Sequence, residues 1–545
     1  MALISISNGE RLGEIVGISQ KHGLGYYILK LGLEKYAPWV NIGQKEVLSI
    51  KVLAEKVRLV LSDLGPTFVK FGQILSTRPD LLPEEFIQEF RKLQDELPAV
   101  EYDVIEPHLK AACGYEMSEI FLSISHEPIA AASIAQVHDA VLINGQKVVL
   151  KIQRPGIADT IKKDLDILYH LARLIERFPD ARLYQPRHIV DEFARNIQRE
   201  LNFLAEAQNA ERMAQNFKDV KEVHIPKIYW DYTCGTVLVM EKVEGIKVDD
   251  LDTLISAGYD LKKIARTGAD AIIQQVFIDG FFHGDPHPGN ICVLPGGVVC
   301  FMDFGIVGRV TLEHKEELAE LIVAIVNKDT NKIVNWFSSM EMLDEVVPLS
   351  RFKRDIYELL DEYYNLPLKK IVFSQVVNEL TGIISRYSIK IRLEYTLLIK
   401  SLVAIEGIGM RLDPEFDIIA YISPVIQKVI AQQWTVSRLK REVQKVVSEL
   451  LLLFRVLPGE TREILRKIKL GKLRIEFEHQ GLDELISTVD KVSNRISISL
   501  MTSAILIASA LIIQTKYSAY GLVMFIVGCV VGILLILQIL VSKKF

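Results

Sequence analysis

The sequence predicts an α+β chain with a small mixed lobe of strands and helices, a larger helical lobe after it, and an apolar helical hairpin at the C-terminal end. Three observations carry this prediction. Hydrophobic periodicity is helical over most of the chain but changes to two around residue 140. Beyond residue 245 only two short apolar strands interrupt the helical pattern. Residues 496–514 and 520–542 contain no charged side chain. The 545 residues are too many for one hydrophobic core and allow about three or four domain-sized units. With 49% hydrophobic and 24% charged residues, the chain is neither disordered nor mostly membrane-embedded. Its net charge of −5 argues against nucleic acid as a partner.

Residues 1–60 read as helical, with a glycine-rich patch at Gly23, Gly25 and Gly32. The first residues lack a basic stretch followed by an apolar core, so no secretory signal is expected. Gly65-Pro66 then opens an apolar helix over 68–75 carrying Lys70, Gly72 and Gln73, and Pro79-Asp80 stops it before a new helix near Pro83. The strands VHDAVLI and QKVVLKIQ flank Asn144-Gly145, which predicts a hairpin with a two-residue type I′ turn. In its second strand Val148 and Leu150 share one face, leaving Lys151 on the other in need of a partner. Helices over 157–178 and 187–217 follow, then strands over 228–232 and 236–241, a linker over 242–245, and helix to about residue 435. The two strands inside that last region, 291–294 and 298–302, are joined by Pro295-Gly296-Gly297.

Each uncharged C-terminal run is long enough, at about 1.5 Å per helical residue, to cross a hydrocarbon layer of roughly 30 Å. Lys491 and Arg495 precede the first, and Lys543 and Lys544 follow the second, which predicts a multi-pass hairpin anchor with both flanks cytoplasmic. Arg466, Lys467, Lys469, Lys472 and Arg474 form a basic stretch that suits either anionic headgroups or plain solvation. Gly528 and Gly532 fit packing against the first span or against a second copy of the chain. The five cysteines form no CxxC pair and read as reduced thiols.

The chemistry concentrates in HGDPHPGN, His283 to Asn290, followed by Asp303-Phe304-Gly305 after the short strand pair. Phosphoryl transfer needs a carboxylate near the acceptor and oxygen ligands that hold Mg2+ against the phosphates. Asp285 suits the first role, and Asn290 and Asp303 the second. Protein kinases use the same D-x-x-x-x-N and DFG spacing, with a strand lysine upstream, which Lys151 in VVLK matches. His283 and His287 lack a third ligand at suitable spacing, and His283 reads as a packed loop residue. Glu200, Glu206 and Glu211 in RELNFLAEAQNAE are the acidic candidates to pair with Lys151. Where a glycine-rich phosphate loop would stand, the chain has Ala130, Ala131, Ala132 and Ser133, whose Cβ atoms disfavour positive φ.

These residues resemble the UbiB family of atypical protein-kinase-like proteins. The resemblance rests on KFGQ within LGPTFVKFGQILSTRPDLLP, on AAAS, on the ExD-like stretch at Glu200, and on HGDPHPGN with DFG. It implies a two-lobed kinase-like fold with a helical extension in which Lys70 and Gln73 face the nucleotide pocket and Lys70 lies near Glu200. It implies that Glu206 pairs with Lys151 and that the hinge at 240–243, with Glu241 and Val243, contacts adenine. ATP or ADP with Mg2+ or Mn2+ is the implied cofactor set. The implied partners are membrane lipids, prenylated quinone precursors and quinone-biosynthesis proteins at the inner, cytoplasmic membrane. The family's second ExD acid is Asn202 here, and an amide cannot neutralise a lysine as a carboxylate does.

The domain division expected is a helical extension over 1–110, a small lobe over 111–245, a helical lobe over 246–435, a basic juxtamembrane region over 436–495 and two spans over 496–542. The activity expected is that of an ATPase or small-molecule kinase supporting ubiquinone or related prenylquinone synthesis. Protein phosphorylation in trans and a nucleotide-gated, non-enzymatic lipid-binding scaffold are the alternatives.

Overall fold

The computed structural model describes residues 6–36, 48–76, 78, 81–93, 98–114, 116–178, 185–327, 329–339, 347–363, 372–387, 389, 391–422, 424–425, 469, 482–514 and 518–541. The chain forms two compact units, residues 1–439 and 440–545.

The first unit opens with helices α1 (Ile6–Lys21), α2 (Gly25–Leu31), α3 (Ile50–Leu64), α4 (Pro66–Leu75), α5 (Glu84–Phe90) and α6 (Tyr102–Cys113). Pro66 sits at the first position of α4, where a missing N–H costs nothing, so the KFGQ segment is helical as its periodicity predicts. Gly72 lets α4 pack against Leu61 and Leu93; a Cβ there would collide with both side chains. The Gln73 amide reinforces this contact by donating to the Leu93 carbonyl at 3.2 Å.

Strands β1 (Phe121–Ala131), β2 (Ala135–Leu142), β3 (Lys147–Gln153) and β5 (Val237–Glu241) make an antiparallel sheet in the order β1-β2-β3-β5. On β3 the alternation is complete: Val148, Leu150 and Ile152 are fully buried on one face, each worth about 1.5–3 kcal/mol of burial, while Lys151 faces away. The β2–β3 connection differs from the predicted two-residue turn. Leu142 N donates to the Gln146 carbonyl, which closes a three-residue loop with only Gly145 at positive φ. The Asn144 side chain accepts the Gln146 N–H and makes the local turn itself, so two left-handed residues are not needed.

Two helices, α7 (Ile157–Ile175) and α8 (Pro186–Glu200), separate β3 from α9 (Phe203–Asn216). The continuous helix expected over 187–217 is broken at Leu201-Asn202. There Asn202 takes an extended conformation and its side chain accepts the Leu204 N–H, capping α9. The expected strand at 228–232 is instead a single Ile228–Met240 bridge followed by a 3-10 turn, Trp230–Tyr232.

After the sheet come α10 (Leu251–Ser256), α11 (Leu261–Ile273), α12 (Leu312–Val326), α13 (Thr330–Ser339), α14 (Leu349–Glu362), α15 (Phe373–Arg386) and α16 (Leu393–Leu412). The predicted pair over 291–302 is present as β8 (Ile291–Leu294) and β9 (Val298–Phe301), flanked by the two-residue strands β4 (Val223–His224) and β6 (Ile246–Lys247). Strands β7 (Phe281–His283) and β10 (Val307–Arg309), which sequence periodicity missed because three residues hold no period, pair antiparallel around the chemistry-bearing loops.

In the second unit, α17 (Leu482–Ile513) and α18 (Ser518–Val541) form an apolar helical pair. Gly528 backs onto Ile505 and Leu506, and Gly532 onto Thr502, so both glycines serve packing within the hairpin. Among the described residues one stretch, 496–513, is long and apolar enough to cross a membrane; in α18 the described apolar stretch is the shorter 520–532. Of the basic stretch at 466–474 only Lys469 lies among the described residues, and Lys543 and Lys544 lie outside them.

Overpacking at α4 gives a direct check on this arrangement. Gly72→Val should destabilise the first unit by about 1–3 kcal/mol, because Leu61 and Leu93 must both move. A melting temperature within 1 degree or so of wild type, measured on the full chain, would contradict that packing.

Candidate functional site

The site begins with Lys151. Its ammonium donates to both oxygens of the Glu206 carboxylate, at 2.7 and 2.9 Å, lies 3.5 Å from Asp303 Oδ2, and sits over the Phe203 ring. Glu206 is held in the first turn of α9, where the helix N-terminus favours an acid, and the Asn202 cap fixes where that turn starts. Burial by itself would lower the pKa of Lys151, but Asp303 and Glu206 outweigh it and hold it above its ordinary value. Burial pushes Glu206 up to about 7 against the pull of Lys151. Lys151 draws Asp303 down to about 2.

Asp303 is one of two non-glycine residues at positive φ among the described residues, at 58°. That conformation costs about 1–2 kcal/mol and turns the carboxylate toward Lys151, while Oδ1 accepts the Gly305 N–H at 3.1 Å. The Asn209 amide donates to the carbonyl of buried Phe304, tying α9 to the same turn.

The β8–β9 hairpin brings the HGDPHPGN loop to this point. Asn290 immediately precedes β8 and its carbonyl accepts the Met302 N–H at 2.8 Å, so Asn290 and Asp303 sit at the two open ends of one hairpin. The Asn290 side-chain amide donates to the Asp285 carbonyl at 3.3 Å, which leaves its Oδ1 as the available acceptor. His283 is fully buried. It accepts the Asp285 N–H through Nδ1 and donates from Nε2 to the Met302 carbonyl, and burial pushes its pKa below the ordinary value. A neutral imidazole therefore cross-links the two loops, the packed role expected for it. Gly284 is required because a Cβ would meet Ile306 at 2.8 Å. His287 is turned onto its own loop, with Nδ1 accepting the Gly289 N–H. Among the described residues no group of three His, Cys, Asp or Glu side chains could hold a metal ion by itself.

Lys151, Glu206 and Asp303 thus form one charge cluster, and the β8–β9 hairpin and His283 tie the backbones of Asn290 and Asp285 to its Asp303 end. Lys70 makes a 3.3 Å ion pair with Glu200. Gln73 differs from its expected direction, since its amide is given to the Leu93 carbonyl. Ala130 and Ala131 end β1, and Ala132 N donates to the Ala135 carbonyl to close a tight turn over Ser133 and Ile134, both buried. None of these residues needs positive φ, so alanine is tolerated where the analogous loop carries glycine. Glu241 ends β5 with its carboxylate on His224 and the Lys227 N–H; the His224 contact lowers its pKa. Val243 lies half-buried in the irregular 242–245 segment that leads into the helical lobe. A small apolar crevice lined by Ala210, Ile228, Leu238, Met240 and Phe304 runs behind Glu206 and Asp303.

Several contributors were not legible in the sequence. Arg154 clamps the alanine turn by donating to the Ala132 and Pro98 carbonyls. Gln275, in a π-helical turn (Gln274–Asp279) that follows α11, accepts the His283 N–H from a fully buried position. Lys400 of α16 reaches Asp285 Oδ1 at 2.9 Å. Each acts across a long sequence separation, and only the π-turn breaks a local pattern.

Residues 92–337 match the family model for the ABC1 atypical kinase-like domain, 356–417 the UbiB helical domain, and 480–541 the ABC1/UbiB kinase-like C-terminal domain. The chain is 36% identical to a Pseudomonas fluorescens protein named "probable protein kinase UbiB", over 77% of this chain and 79% of that one. It is 33% identical to an uncharacterized Clostridium pasteurianum protein in the hydrogenase 1 5′ region, over 98% and 99% of the two chains. A solved structure of Mycobacterium tuberculosis Rv3197 with erythromycin is similar at a TM-score of 0.46 and 22% identity, covering 65% of this chain and 91% of that one. With the kinase-like loops, the helical lobe and the C-terminal segment all matched, the chain belongs to the ABC1/UbiB family of atypical kinase-like proteins.

Proposed function

We propose that this protein is a membrane-anchored, Mg2+-dependent ATPase of kinase-like design that phosphorylates or helps extract prenylated quinone precursors in ubiquinone or related prenylquinone synthesis. The observation that carries the nucleotide reading is the charge cluster in which Lys151, paired to Glu206, stands 3.5 Å from Asp303, with Asn290 at the other end of the same hairpin.

The donor set fits magnesium. The half-exposed Asp303 carboxylate and the Asn290 Oδ1 are hard oxygen ligands, and the Lys151 contact keeps Asp303 ionised across the neutral range. Bound Mg2+ would neutralise charge on the β- and γ-phosphates. Lys151 would bind phosphate oxygens, positioned by Glu206. Asp285 would accept the proton of the attacking hydroxyl or water, its loop fixed by His283. The alanine turn limits close backbone approach to phosphate, so Lys151 and the metal ligands would carry more of the phosphate binding than in a glycine-looped kinase. The Lys70–Glu200 pair supports restricted access for a protein substrate and favours a small or lipid acceptor. The apolar stretch at 496–513 supports the anchor, with α18 as its return helix.

Asp303→Asn should remove at least about 99% of Mg2+-dependent phosphate release from full-length protein in liposomes with a prenylphenol, because the charge holding the metal is lost. Unchanged release rejects the nucleotide reading, and nucleotide-dependent stabilisation of the wild type without any release favours the non-enzymatic scaffold instead. In membranes prepared from expressing cells, the wild type should resist alkaline extraction. Leu506→Asp together with Ile507→Asp should release it, since each carboxylate costs about 2.5–3.5 kcal/mol near the bilayer centre. Equal retention of both proteins would count against the anchor.

A further inference from the structure

Asp285 takes the proton in the proposed reaction, yet its own loop supplies no cation. Between Asp285 and Asn290 the sequence is Pro-His-Pro-Gly, and His287 is turned back onto the Gly289 N–H. The lysines nearest the charge cluster are engaged elsewhere, Lys151 with Glu206 and Asp303, and Lys70 with Glu200. The Asp285 backbone is fixed on both sides. Its N–H goes to His283, and its carbonyl accepts from His287 N and the Asn290 amide. Among the described residues, the side chain that meets its carboxylate is Lys400, with Nζ 2.9 Å from Oδ1.

Lys400 arrives from outside the kinase-like region. It lies on α16, within the segment that matches the UbiB helical domain. Leu398, Leu402 and Ile405 anchor that helix in the core, and Ile405 reaches the surface of α11 at Gly268, where a Cβ would stand 3.3 Å away. A helix fixed in this way delivers the ammonium from a rigid element. The nearby acid on the same helix, Glu406, is buried and spent on the N–H groups of Phe373 and Ser374, so it does not compete for Lys400.

Resting on the nucleotide reading above, we propose that Lys400 is a positioning residue through which the helical domain completes the phosphoryl-transfer site: it holds the Asp285 carboxylate in one orientation, with Oδ1 engaged and Oδ2 left for the acceptor. In the supported step the acceptor oxygen forms a new bond to the γ-phosphorus, the bond to the β,γ-bridging oxygen breaks, ADP departs, and the acceptor proton passes to Asp285. A plain surface ion pair would instead contribute about 0–1 kcal/mol of stability and nothing to turnover.

The test compares full-length wild type, Lys400→Met, Lys400→Arg, Asp285→Asn and the Asp285→Asn/Lys400→Met double variant in liposomes, by phosphate release with Mg2+–ATP. Lys400→Met should lower kcat about tenfold or more, with KM for ATP within about twofold and the melting temperature unchanged. Lys400→Arg should recover most of the loss, and Lys400→Met should add nothing to Asp285→Asn. An unaltered kcat in Lys400→Met, or an Arg variant as impaired as the Met variant, overturns the proposal. A second readout does not depend on turnover. Acetylation of Lys400 by an N-hydroxysuccinimide ester, followed by mass spectrometry, should be several-fold faster in Asp285→Asn than in wild type, and equal rates also overturn the proposal. A wild type that releases no phosphate defeats the nucleotide reading itself. A wild type that releases phosphate while Lys400→Met matches it defeats only the role of Lys400.

Discussion

The fold is organised around one buried charge problem, the ammonium of Lys151. Taking it out of water costs several kcal/mol, so the surrounding chain must return opposite charge at short range. Two acids do so from different directions. Glu206 arrives from the first turn of α9, and Asp303 from a turn that only a strained backbone can make. The sheet face beneath Lys151, with Val148, Leu150 and Ile152 fully buried, forbids a register slip that would let the lysine escape to solvent. The charge cluster thus fixes the position of β3, α9 and the Asp303 turn relative to one another.

A second layer of constraint comes from a very small scaffold. Two strand pairs of three or four residues each, β7–β10 and β8–β9, hold Asp285, Asn290 and Asp303 together. Such short ladders have little stability of their own. They are reinforced by the neutral His283 between the loops and by Gln275 behind it. The helical domain adds a third support through Lys400. The chemistry-bearing loops are therefore tied to more distant parts of the chain than a kinase-like core alone would supply.

What the sequence made legible follows physical range. The β2–β3 hairpin, the lysine on the β3 face opposite Val148 and Leu150, the strand pair at 291–302 and the helix bearing Lys70 all rest on local periodicity or turn chemistry, and each is present. The kinase-like spacing also marked Asp285, Asn290 and Asp303 as one chemical set, and two short strand pairs bring their loops together. Reading failed where a single side chain overrides the local pattern. Asn202 breaks a run that looks continuously helical, and Asn144 makes a turn that its neighbour Gly145 alone would not specify. It failed again for contacts across the fold, such as Gln73 to Leu93, Arg154 to the alanine turn and Lys400 to Asp285, because no periodicity encodes a long-range pairing.

The break at Leu201-Asn202 separates two glutamates that a single rod would have locked in phase. Glu200 ends α8 in the grip of Lys70, whereas Glu206 begins α9 in the grip of Lys151. With an extended residue between them, the Lys70 pair and the Lys151 pair are carried on separate helices whose directions are set independently. Two neighbouring ion pairs, six residues apart in the chain, thereby face two different parts of the fold.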